Sequence, residues 1–157
     1  EQLRNDITGM RNPCDVLALT FQHAADLDFP TVVTALETIG QYPQRRDVER
    51  DMRLSKLVFD ANFLLHSGKR SFRPKDLVRC AMAYAKIGLK KPTLMYCIGL
   101  ETKKRVGDFP VADLASILVA FALAGILDVP MMAAVTLEVT RRIDHCTPKE
   151  LGNIAWS

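Results

Sequence analysis

Four polar residues recur where a repeat could read a nucleic-acid base. Thr31, Arg79, Ser116 and Asn153 each interrupt an otherwise apolar helical pattern, and their identity changes from copy to copy. A helical repeat that recognises one base does so through a polar side chain of this kind. The same pattern also suits ordinary solvent-facing positions. Three basic pairs recur alongside: Lys69-Arg70, Lys104-Arg105 and Arg141-Arg142, the last two 37 residues apart. One cationic cluster per repeat on one edge would track a phosphate backbone. Cations at helix C-termini also complement the macrodipole without any ligand.

Other chemistries find little support. The four cysteines and three histidines form no C-x-x-C and no ligand spacing, and adjacent His145-Cys146 is poor geometry for one metal. P-loop, G-x-G-x-x-G and G-x-S-x-G motifs are absent, and no nucleophile–base pairing emerges. The reading is therefore a non-enzymatic binding protein without cofactor or metal. The net charge is only +3, but residues 41–75 hold nine bases against four acids, an excess of five that suits an anionic partner or a solvated charged helix. No apolar run reaches the ~18 residues of a membrane span, so no membrane insertion is expected.

The elements that would position these residues come from a repeat. Asp76-Leu77, Asp113-Leu114 and Glu150-Leu151 stand at intervals of 37, as do Gly88 and Gly125. A fixed period of this size marks a repeat architecture. Each repeat reads as two helices, A and B, joined by short breaks at glycine and proline. The expected fold is all-α, an α-solenoid of antiparallel helix pairs with a period of about 37 residues. The approximate repeats are 29–72, 73–109, 110–146 and a partial 147–157, with residues 11–27 forming a helix of a preceding repeat. The chain reads as a segment of a longer protein.

Helices are expected over 11–26, 30–39, 46–66, 74–87, 92–106, 110–126 and 130–143. A last one opens at the Thr147-Pro148-Lys149-Glu150 capping box. Aligning Gly40 with Gly88 pairs Thr31 with Arg79 and leaves an 11-residue insertion near 42–52. Leu77, Leu114, Leu151, Cys80, Ile117, Ile154, Ala81, Leu118 and Ala155 form the expected core, three and four residues apart on one helix face. Tyr84, Phe121 and Trp156 also read as core. Asp76, Asp113 and Glu150 in the first turn of helix A favour the macrodipole.

Thr147 to Ser157 resembles the P-x-E-L-a-N-x-x-W-a helix of the octotricopeptide and heptatricopeptide repeats, including those of proteins that end in a RAP domain. Pro110 to Gly125 is similar to a second copy and Pro74 to Gly88 to a third. The resemblance implies an RNA-binding subunit of a mitochondrial or plastid ribonucleoprotein, engaged in RNA processing, editing, or ribosome structure or assembly. Its implied partners are single-stranded or ribosomal RNA and other protein subunits. Asn-x-x-Trp stands only in the last copy, and the insertion breaks the register. Both departures suit the alternative, a protein–protein scaffold of the same fold, with Met82, Val119 and Leu123 on its partner surface.

Overall fold

The computed structural model describes residues 1–42, 46–67, 72–89 and 92–142, together with residues 148 and 152, and of Arg46 and Asp47 the backbone alone. The chain is all-helical: among the described residues there are nine α-helices, two short 3-10 turns and no strand. The α-helices are α1 (Gln2–Gly9), α2 (Pro13–Gln22), α3 (Phe29–Gly40), α4 (Arg46–Glu49), α5 (Met52–His66), α6 (Pro74–Ile87), α7 (Thr93–Lys104), α8 (Val111–Ala124) and α9 (Val129–Arg141). The 3-10 turns lie at Ala24–Asp26 and Val106–Asp108.

The helices fall into two rows. In the first, α1 packs on α3, α3 on α6 and α6 on α8; in the second, α2 packs on α5, α5 on α7 and α7 on α9. Contacts of α2 and α5 with α3, α7 with α6, and α9 with α8 join the rows. The core lies between them. Leu77, Cys80, Ala81, Leu114, Ile117 and Leu118 are buried as expected, and so are Tyr84 and Phe121. Their shared spacing of three and four residues puts them on one face of each helix.

Local chemistry sets the helix ends. Asp28 caps α3 by accepting from the Thr31 N–H at 2.8 Å, with Pro30 in the first turn. Asp76 reaches back from the third position of α6 to accept from the Arg73 N–H at 2.9 Å. Asp128 caps α9 through the Met131 N–H at 3.1 Å. Gly88 and Gly125 end α6 and α8 in the left-handed region, at φ 79° and 66°, where glycine lacks the steric penalty of a Cβ.

Several boundaries depart from the sequence reading. The helix expected over 46–66 is two: Asp51 turns extended and caps α5 by accepting from the Arg53 N–H at 2.8 Å, so a new N-terminus starts there. The helix expected over 11–26 stops at Gln22, and α1 precedes it without a signal in the reading. The last expected helix, from Thr147, lies outside the continuous described residues, as do Leu151, Ile154, Ala155, Trp156 and Glu150.

Gly40 is the informative departure. It is the last helical residue of α3, not a left-handed stop. Burial supplies the better register. Buried positions 31, 32, 33, 35, 36, 38 and 39 of α3 recur at 76, 77, 78, 80, 81, 83 and 84 of α6. The last six of these recur at 114, 115, 117, 118, 120 and 121 of α8. The step from α3 to α6 is therefore 45 residues, not 48, and the excess over 37 is eight, not eleven. Arg79 corresponds to Thr34, and Thr31 corresponds to Asp76.

Candidate nucleic-acid interface

The polar column does not form one exposed line. Thr31 is only 5% exposed, one residue beyond the proline of the α3 N-terminus, and its N–H is committed to Asp28. Its assignment as a base contact is corrected on that ground: a buried threonine in the packed first turn presents nothing to a base. Thr34, its replacement in the column, is half-buried and gives its hydroxyl to the Pro30 carbonyl at 2.9 Å.

Arg79 is half-buried at the contact between α3 and α6. It forks onto Glu37, donating from Nε at 3.0 and 3.1 Å and from Nη2 as well. Nη1 lies 3.4 Å from Asp76 Oδ1. The Glu37 hydrogen bonds, offset in part by burial and reinforced by the charges of Glu37 and Asp76, hold the guanidinium above its usual pKa. This arginine clamps two first-row helices, and a carboxylate already occupies its planar fork. Ser116 is half-buried on α8 and donates to the Ala112 carbonyl at 2.8 Å. Asn153 lies outside the described residues, as do Lys69 and Arg70.

The basic pairs divide by role. Arg105 follows α7 and donates to the Phe72 carbonyl at 3.4 Å, with its guanidinium carbon 5.5 Å from the centroid of the Phe72 ring. It also bridges Asp108 at 3.2 Å. Arg142 follows α9 and donates to the Phe109 carbonyl and the Gly107 carbonyl, each at 2.9 Å, and pairs with Glu138. Phe72 and Phe109 are 37 apart, as are Arg105 and Arg142. Each arginine thus ties the end of a second-row helix to the residue shortly before the first-row helix preceding it. Phe72 itself packs on Phe29, ring centroids 5.0 Å apart. The sequence reading saw the arginine column but not its acceptors; the matching Phe72–Phe109 interval was the available signal.

Lys104 and Arg141 are exposed. They pair with Glu101 at 3.6 Å and Glu138 at 3.0 Å, one turn back on their own helices. Exposed pairs of this kind contribute about 0–1 kcal/mol, so both cations remain open to a stronger anion. Lys103 is exposed beside them.

Two of the cysteines are poor nucleophiles. Burial pushes the Cys80 thiol up to about 12 and also raises Cys97, whose sulfur sits 4.0 Å from His66 Nε2. Neither is a ready thiolate at neutral pH. Among the described residues, no three His, Cys, Asp or Glu side chains gather as metal ligands, and no helix is long and apolar enough to cross a membrane. No protein-family model, curated protein or solved structure matches the chain.

Proposed function

We propose that the chain is a stretch of α-solenoid, built of antiparallel helix pairs with a period of about 37 residues, that serves as a protein-binding scaffold within a larger assembly. One observation carries this reading over RNA recognition. Three of the cations that a phosphate backbone would use, Arg79, Arg105 and Arg142, are committed to the chain itself. Arg79 holds Glu37 and Asp76, Arg105 holds the Phe72 carbonyl and Asp108, and Arg142 holds two carbonyls and Glu138. Releasing a buried or half-buried guanidinium from such partners costs about 1.5–3 kcal/mol per charged hydrogen bond, which a phosphate must first make good.

RNA binding is the second reading, and one observation favours it. Lys103, Lys104 and Arg141 stand exposed at the C-terminal ends of α7 and α9. With the resemblance to organellar repeats, this supports an RNA-contacting subunit of a mitochondrial ribonucleoprotein.

The two readings separate in one experiment. Binding of single-stranded RNA is measured over a range of salt for the parent and for the Lys104→Glu/Arg141→Glu variant. The scaffold reading expects weak binding in both, with little difference between them. A tenfold loss on charge reversal, with a shallower salt slope by about 0.7 per lost phosphate contact, overturns it in favour of RNA.

A further inference from the structure

The second-row helices carry an outward column as well as an inward one. Leu57, Leu94 and Met131 are buried at intervals of 37, and so are Ala61, Ile98 and Val135. In the same register, Phe63, Leu100 and Leu137 face outward, preceded by Phe59 and Tyr96 one turn earlier on α5 and α7. These five large apolar residues are 48–66% exposed. Scattered exposed hydrophobics need no explanation, but a contiguous row on adjoining helices marks an interaction surface. Residues four apart share a helix face, and α5, α7 and α9 lie side by side. The five therefore form one stripe across three helices.

A trough of about 270 Å³ opens within the stripe between α7 and α9. Tyr96, Leu100 and Lys103 line one wall and Asp128, Pro130 and Met131 the other, with Gly99 between. One border of the stripe is cationic. Lys103, Lys104 and Arg141 are exposed there, Lys104 pairing with Glu101 at 3.6 Å and Arg141 with Glu138 at 3.0 Å.

We propose that this stripe docks an amphipathic helix of a partner protein, whose apolar face covers Phe63, Leu100 and Leu137 and whose acidic residues meet Lys103 and Arg141. The inference rests on the scaffold reading and names its surface and the chemistry of its partner. Charge complementarity selects an acidic flank. The trough takes one anchor side chain, as helix-in-groove recognition requires.

The test uses the full protein in its native assembly, with a photo-crosslinking residue at Leu100 and, separately, at Val119 of the first row. The expected result is a protein adduct at Leu100 that maps to a segment with an apolar face and acidic flank. That segment, synthesised as a peptide, binds the parent protein, and Phe63→Asp or Lys103→Glu weakens it by about tenfold or more. Both positions are exposed, so unchanged circular dichroism separates lost binding from lost folding. An RNA, lipid or second-copy adduct at Leu100 overturns the proposal. A protein adduct at Val119 with none at Leu100 overturns this surface but leaves the scaffold standing. No protein adduct at either position overturns both.

Discussion

Gly40 and Gly88 occupy the same column when the sequence is aligned on glycines, yet the structure gives them opposite requirements. Gly88 sits at φ +79°, and a Cβ there meets only Glu49 Oε1, at 3.9 Å. Alanine at 88 thus suffers the conformational penalty alone, about 1–2 kcal/mol. Gly40 is helical, and its added Cβ lies 3.4 Å from Lys86 Cβ and 3.5 Å from Ile87 Cγ1, ordinary van der Waals contact. Alanine at 40 gains helix propensity and loses unfolded-state entropy, worth about 0.5–1 kcal/mol of stabilisation at a compatible site. The expected outcome is a split of roughly 2 kcal/mol between Gly40→Ala and Gly88→Ala, read from urea unfolding by far-UV circular dichroism. The midpoints should move in opposite directions with unchanged slopes. Equal destabilisation by both variants would refute the 45-residue register and restore the alignment that pairs the two glycines.

Gly99→Ala places a Cβ 2.5 Å from Asp128 Oδ2, the carboxylate that caps α9. It should cost about 1–3 kcal/mol as overpacking, and less in an Asp128→Ala background, where double-mutant thermal melts report the coupling. Arg142→Met should lower stability by about 1.5–3 kcal/mol, since a charged donor to the Phe109 and Gly107 carbonyls is lost and half-buried in character. Arg142→Lys should recover only part of that loss, because one ammonium cannot reproduce the fork. At Asp28, burial pushes the carboxyl up, but the Thr31 hydrogen bonds and the Arg4 charge outweigh it and leave the pKa below the usual value. A depressed folded pKa contributes stability above the unfolded-state pKa and loses it as pH falls through the folded one. Asp28→Asn should therefore lower stability at neutral pH and flatten the acid limb, converging on the parent below the folded pKa.

Helix identity was legible where capping residue and periodicity agreed, as in α6 and α8, whose apolar spacing, acidic first turn and terminal glycine point the same way. The core columns followed directly, because burial at one face is what that periodicity encodes. Asp51 was overlooked inside a run of mixed charge, where an N-cap reads like any other acid. Thr31 was misassigned because a glycine can end a helix or close its packing, and only the neighbouring Ala83 and Lys86 tell which. The arginine column was visible, but its acceptors are backbone carbonyls 33 residues away, and carbonyls leave no mark in composition. The exposed stripe shares the repeat interval of the core, so periodicity alone could not separate the two.

The arginine ties also bear on how such a chain can lengthen or shorten. Excising residues 73–109 would splice Phe72 directly onto Pro110. Phe72 would then stand where Phe109 stood, and Arg142 would find a phenylalanine carbonyl waiting at the same interval. On the proposed repeat architecture, the clasp would travel with the 37-residue block it closes. A duplication at the same joint would carry its own clasp and its own outward leucine or aromatic. Such an event would lengthen the proposed docking stripe without a new junction.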